Sequence, residues 1–176
     1  MSRNPAHEAL FKEWLETYRG IFFKVTRSFA RTATDAAELL QEIQVQLWNS
    51  VPAYSSKAQA STWIYRVCLN TALAWRRGND RRESKIEPAA DVSQLTINAA
   101  SPAESASQRE LLEKLYAAIH AMDDFDRALV LLMLDGLAYR EMAEVTGLTE
   151  IHVGVALTRA RKRLATLLKG VINELE

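Results

Sequence analysis

Apolar residues recur at steps of three and four along nearly the whole chain, and nowhere alternate with polar ones over the length of a strand. That period lines side chains along one face of a helix and is of no use to a strand. Glycine and proline, the residues that interrupt helices, number only six and four among 176 residues. The spacing therefore predicts an all-α chain. One long break spans residues 78–108, where Pro88, Pro102 and five serines (Ser84, Ser93, Ser101, Ser105, Ser107) replace the apolar period. Such a composition reads as a flexible linker joining two small helical domains. The expected divisions are 1–82, 83–108 and 109–176.

In the first half, Phe11, Trp14, Leu15, Tyr18, Phe22, Val25 and Phe29 form one stripe, predicting a single helix of more than five turns. A second helix is expected from Thr34, as its N-cap, to Asn49, with Ala36, Leu39, Leu40, Ile43 and Leu47 inward and Pro52 ending it. A third starts near Ser61, turns Ile64, Val67, Cys68, Thr71 and Trp75 to one side, and is expected to stop at Gly78. Beyond the linker, Leu111, Leu112, Leu115, Tyr116 and Ile119 mark a fourth helix. Residues 128–134 form a fifth, apolar almost all round and therefore buried.

Composition excludes several classes of function. Cys68 is the only cysteine and lies in a core stripe, so it has no disulfide partner and reads as packing. His7, His120 and His152 are scattered, without metal-ligand spacing. With no Gly-rich phosphate loop and no paired nucleophile and base, neither an enzyme nor a cofactor or metal site is expected. No uncharged stretch is long enough to span a bilayer, and the first residues, Ser2, Arg3, Asn4 and Pro5, lack the apolar run of a signal peptide. A cytoplasmic protein without membrane insertion is the expectation.

Lys plus Arg and Asp plus Glu are both 22, so total charge predicts no partner; its distribution does. Asp35, Glu38 and Glu42 line the exposed side of the second helix, and Asp123, Asp124 and Asp126 precede the fifth. Between residues 61 and 85 the excess is reversed, with Arg66, Arg76, Arg77, Arg81, Arg82 and Lys85 against Asp80 and Glu83. On a helical wheel Trp63, Arg66, Asn70 and Arg77 fall within about 60° of one another, away from the core stripe. An aromatic, an amide and two guanidiniums together suit a groove that follows single-stranded nucleic acid. A core role for Trp63, with solvated arginines, remains the alternative. The polar loop from Tyr54 through Ser55, Ser56, Lys57, Ala58, Gln59 and Ala60 could rim a pocket for an extruded base or simply connect two helices.

Residues 139–153 read YREMAEVTGLTEIHV. Ala143 is small where two helices would cross, Gly147 suits the left-handed turn between them, and Val153 fits the angle of the second helix, which Thr149 is placed to cap. Arg159, Arg161, Lys162 and Arg163 follow, with no acid between residues 151 and 171. This is a helix-turn-helix followed by a run suited to phosphate contacts. The early exposed positions of its second helix hold Ile151, His152, Gly154, Val155 and Ala156, which offer few donors and at most touch a thymine methyl.

Taken together, DAAELLQEIQVQLW (35–48), STWIYRVCLNTALAWRR (61–77) and DGLAYREMAEVTGLTEIHVGVALTRARKRL (135–164) resemble bacterial RNA polymerase sigma factors of the extracytoplasmic-function (ECF) group, over nearly all the chain outside the linker. The resemblance implies a sigma factor that binds core polymerase, recognises and helps melt promoter DNA, and leaves catalysis to the polymerase. It assigns Asp35, Glu38, Leu39, Gln41, Glu42, Gln46 and Trp48 to the clamp helices of the largest subunit, and the helix-turn-helix to the beta flap. For the minus-ten element it implies a base pocket from Tyr54, Ser55, Ser56, Lys57 and Gln59, with Trp63, Arg66 and Asn70 holding melted DNA and Arg76 and Arg77 on its backbone. For the minus-thirty-five element it implies Thr149, His152, Val155, Thr158, Arg159 and Lys162. An anti-sigma protein gripping both halves is a further implied partner.

The chain departs from the family pattern at Ala60, where an aromatic is usual, at Ala74, where Asp is usual, and at Gly154, Val155 and Ala156, where Lys, Ser and Arg are common. An unusual upstream promoter sequence is therefore expected. Two other readings stay open: a sigma-like interaction protein without promoter readout, and a helix-turn-helix DNA-binding regulator.

Overall fold

A computed structural model of the chain describes residues 4–83 and 106–173. Among them every regular element is helical: α1 (Pro5–Thr17), α2 (Arg19–Phe29), α3 (Ala33–Ser50), a 3-10 turn (Val51–Ala53), α4 (Ala60–Glu83), α5 (Ala106–His120), α6 (Asp124–Leu134), α7 (Tyr139–Thr146) and α8 (Glu150–Asn173). The all-α expectation holds. Most of the expected linker lies outside the described residues; its ends, Glu83 and Ala106 to Gln108, belong to α4 and α5.

Four boundaries differ from the sequence reading, one of them at the fifth helix, α6, which starts at Asp124 rather than 128 because Asp123 caps it, its carboxylate accepting from the Asp126 amide at 2.9 Å. The long first helix is two, because Tyr18 leaves helical geometry (φ −107°, ψ 18°) and its carbonyl accepts from the Ile21 amide only three residues on, at 2.9 Å. The bend gives one stripe two sets of neighbours. Phe11 meets Trp48 edge-on at 5.3 Å and Trp14 meets Tyr54 at 5.0 Å, while Phe22, Val25 and Phe29 enter the main core. The N-cap of α3 is Thr32, not Thr34: Thr32 Oγ1 accepts from the Asp35 amide at 3.1 Å, and Asp35 Oδ2 accepts from the Thr32 amide at 3.0 Å. That reciprocal box satisfies two end donors, which Thr34, already inside the helix, is not placed to do. α4 passes through Gly78 to Glu83, since an interior glycine costs a helix only about 1 kcal/mol.

The two expected helical domains are present as two bundles, α1–α4 and α5–α8, and the structure adds that they pack on each other. A single apolar cluster runs from Phe22, Phe29, Ile64 and Tyr65 across to Leu129, Leu132, Met142 and Val153. A smaller one, built on Ile119, Met122, Val130, Ala160 and Leu164, holds α5, α6 and α8 together. This explains the all-apolar α6. One side packs on α8 and α5, the other on α2 and α4, so Ala128 to Leu132 are all buried.

Polar side chains close the seam. α6 ends in a left-handed Gly136 (φ +75°), with the Leu137 amide returning to the Leu132 carbonyl at 3.1 Å, the wrap that Schellman ends use. The turn presents Asp135 to the first half, where its carboxylate accepts from Tyr65 Oη and Lys24 Nζ. Nearby, Arg127 donates to the carbonyls of Ile119 (3.2 Å), His120 (2.9 Å) and Met122 (2.9 Å), occupying the open end of α5. The same guanidinium lies 5.1 Å from the Phe29 ring. His120 Nε2 meets the Arg27 carbonyl at 2.8 Å, and Arg27 lies 4.0 Å from the Tyr116 ring.

Candidate nucleic-acid and polymerase interfaces

α3 presents its outer face much as expected. Glu38, Gln41, Glu42 and Gln46 are exposed, with Gln46 Nε2 donating to Glu42 Oε1 at 2.9 Å, and Trp48 is 38% exposed. Two residues in this group serve the fold instead. Leu39 is fully buried on the inward stripe, so it holds α3 in place and offers nothing to a partner. The Asp35 carboxylate is spent on the helix cap, receiving the amides of Thr32 and Arg31, the latter at 3.3 Å.

The loop between the 3-10 turn and α4 has a definite shape. Tyr54 Oη donates to the Ala58 carbonyl at 3.0 Å, closing the loop on itself, and Ser56 sits in the left-handed region at φ +57°. Ser55, Ser56, Lys57 and Gln59 are exposed around it, while the Tyr54 ring is clamped between Trp14 and Trp63, the latter at 5.7 Å. Trp63 is half-buried, and its indole N–H donates to Ser50 Oγ at 3.2 Å. Trp63 therefore packs against the core while part of it stays exposed beside the loop.

Farther along α4, Arg66, Asn70 and Arg77 are exposed. Arg76 is not: it is only 7% exposed and its Nε lies 3.6 Å from Asp124 Oδ1 at the start of α6. One residue's rotation, 100° on the wheel, separates Arg77 in solvent from Arg76 in the seam. Arg76 therefore cannot touch a nucleic-acid backbone while the halves are packed. Arg66 and Asn70 face a hollow of about 370 Å³ whose other wall is Ala143 to Leu148 of the helix-turn-helix. The described side chains do not include Arg81, Arg82 or Lys85.

The helix-turn-helix reading holds in its steric detail. Gly147 is left-handed (φ +75°, ψ 9°), Val153 is fully buried in the angle, and Thr149 Oγ1 accepts from the His152 amide at 3.3 Å to start α8. His152, Val155, Thr158, Arg159 and Lys162 are exposed. The basic run is exposed throughout, and two of its members also meet acids near the start of α6. Arg159 lies 3.5 Å from Asp126 Oδ1, and Arg163 lies 3.0 Å from Asp123 Oδ2. Asp126 is buried, and burial first, then the neighbouring Asp123, pushes its carboxyl above the usual range; Arg159 opposes both.

Sequence reading missed the seam residues Lys24, Tyr65 and Asp135. An aspartate before a glycine at a helix end was the available signal, but nothing in the sequence says which tyrosine or lysine it meets.

Two family descriptions match the chain: Sigma-70 region 2 over residues 14–82 and Sigma-70, region 4 over residues 112–164, together more than two thirds of it. Among curated relatives, the chain is 24% identical over 163 residues to the RNA polymerase sigma factor NccH of Alcaligenes xylosoxydans xylosoxydans, covering 91% of this chain and 87% of that one. It is 25% identical over 147 residues to the ECF RNA polymerase sigma-E factor of Haemophilus influenzae, covering 80% and 77%. Among solved structures it is similar to the sigma factor RpoE of Bartonella quintana, in complex with the anti-sigma factor NepR, with TM-score 0.69 and 16% identity over 92% of this chain and 98% of that one. CnrH, in complex with the cytosolic domain of CnrY, is similar at TM-score 0.64 and 21% identity, covering 93% and 90%.

Proposed function

The chain belongs to the sigma-70 family, in its ECF group, and on that footing we propose how its surfaces divide the work of starting transcription. Sigma factors are initiation factors rather than enzymes, so this chain supplies binding and strand separation and the polymerase supplies the chemistry. The outer face of α3, from Glu38 to Trp48, docks on the clamp helices of the largest subunit, and α7–α8 docks on the beta flap. Residues 1–82 form the unit that handles the minus-ten element. Residues 109–176 form the unit that handles the minus-thirty-five element, with 83–108 connecting them.

In the first unit the loop from Tyr54 to Gln59 receives a base extruded from the non-template strand. Arg66, Asn70 and the edge of Trp63 hold the melted strand, and Arg77 follows its backbone. The observation that most supports this is the exposed Arg66–Asn70–Arg77 face beside a loop already fixed by the Tyr54–Ala58 hydrogen bond. In the second unit Thr149, His152, Val155, Thr158, Arg159 and Lys162 face the upstream duplex.

The packed arrangement is then a resting form. The two promoter elements lie about 25 base pairs apart, about 85 Å at 3.4 Å per pair, whereas a compact chain of this length has a radius of gyration of about 16 Å. One body cannot reach both. Binding both requires the seam at Asp135 and Arg76 to part, which also frees Arg76 for the role the family resemblance gives it. A protein that grips the seam keeps the factor inactive, and an anti-sigma factor is the partner we propose for it. No described helix is long and apolar enough to cross a membrane, in keeping with a cytoplasmic site of action.

The test is abortive transcription by purified core polymerase on a promoter library, with and without the chain. Sequence-selective initiation is expected. Polymerase binding without initiation supports the interaction-protein reading, and DNA binding without polymerase supports a stand-alone regulator; either refutes the proposal.

A further inference from the structure

The face of α8 turned towards the upstream duplex is apolar where a base-reading helix ordinarily carries donors. Ile151 is 78% exposed and Val155 is 69% exposed, one helical turn apart. Between them Gly154 leaves room for the Tyr139 ring, whose Cε2 would lie 3.4 Å from an added Cβ, so this part of the face is occupied by carbon as well. The hydroxyls nearby are engaged with the helix itself. Thr158 Oγ1 donates to the Gly154 carbonyl at 2.8 Å, and Thr149 Oγ1 accepts from the His152 amide.

Resting on the sigma-factor reading, we propose that Ile151 and Val155 set upstream specificity by packing on the C5-methyl groups of thymines. In the major groove that methyl is the one apolar feature a base pair offers, and only T·A pairs carry it. Donor-poor side chains can distinguish it and little else. The occupant is duplex DNA rather than another apolar surface because exposed permanent cations flank the strip, Arg159 and Lys162 one to two turns beyond Val155 and Arg140 next to the Tyr139 that packs on Gly154. Those charges suit phosphates beside a groove and do not suit the dry centre of a protein interface. Four residues of helix rise about 6 Å, close to two base-pair steps, so the two side chains reach methyls separated by about one intervening pair, on either strand.

The experiment uses the full chain with core polymerase and an active promoter recovered from the library. Thymines of the upstream element are replaced by deoxyuridine, which removes the methyl and leaves every hydrogen-bonding group in place. Promoter affinity is expected to fall about fourfold for each methyl that was buried. Ile151→Ala with Val155→Ala is expected to weaken binding to the thymine promoter and to abolish its advantage over the uracil one. Both positions are exposed, so the double variant folds as the parent does. Selective initiation that ignores the uracil replacement overturns this inference and leaves the sigma reading standing, as does a recovered upstream element without thymines. An equal thymine advantage in the double variant assigns the methyl contact elsewhere and also overturns it. Loss of polymerase affinity, with discrimination unchanged, gives the strip to a protein partner. Absence of initiation from any template overturns both readings together.

Discussion

Asp135→Ala is the perturbation that most directly probes the seam. In the packed form this carboxylate accepts from Tyr65, a residue 1% exposed, and pairs with Lys24, whose side chain is 41% exposed. The tyrosine bond is the larger contribution, because a buried hydrogen bond to a charged group contributes about 1.5–3 kcal/mol, while a half-exposed ion pair adds less than about 1 kcal/mol after screening. A loss of about 2–3 kcal/mol moves the equilibrium towards separated halves by roughly 30- to 160-fold. Small-angle scattering reads this as a larger radius of gyration, and hydrogen exchange reads it as faster labelling of α4 and α6. Helical content by far-UV circular dichroism is expected to stay as it was. Tyr65→Phe removes the same bond from the other side, so its effect and that of Asp135→Ala should not add. Additive effects, or a variant that melts early yet stays as compact as the parent, would refute the latch and make Asp135 a plain support for the end of α6.

Three further outcomes are expected. Burial first, and then the nearby Arg127, lower the affinity of His120 for a proton, with Arg76 and Arg31 acting in the same direction and the hydrogen bond to the Arg27 carbonyl opposing them. The folded chain thus favours the neutral ring, and the stability it contributes is complete above about pH 6.5 and lost as pH falls through the lowered folded value; urea midpoints between pH 8 and 5 should show this slope and His120→Gln should flatten it. Gly147→Ala should lower stability by about 1–2 kcal/mol in urea unfolding, because φ +75° is strained for any residue with a Cβ; an unchanged midpoint would mean the turn relaxes freely. Arg77→Ala should reduce the salt slope of promoter binding by about 0.9 while leaving urea stability within about 0.5 kcal/mol, whereas Arg76→Ala should alter both. Identical behaviour of the two would contradict the placement of Arg76 in the seam and Arg77 in solvent.

Local rules could be read from the sequence because they depend on neighbours along the chain. The fit of Ala143, Gly147 and Val153 is a matter of spacing within one turn, and it survives intact in the structure. The capping of α3 shows the limit of such rules: Thr32 and Thr34 both precede an apolar run, and only the reciprocal bond with Asp35 separates them. The burial of Leu39 is legible in the apolar period of α3, which conflicts with the contact role the resemblance implies for it. Arg76 is different: it lies on a helix whose composition marks it as a contact surface, and it is buried because of what packs against it from elsewhere. The seam itself was invisible, since a run such as 128–134 announces burial on every side without identifying what buries it.

The position of α6 has a consequence for the separated form. Separating the halves wets one side of this helix, including the carbon surface that had met Phe29 and Ile64 across the cluster. An opened molecule with nothing to receive it is adhesive and is an easy substrate for proteases.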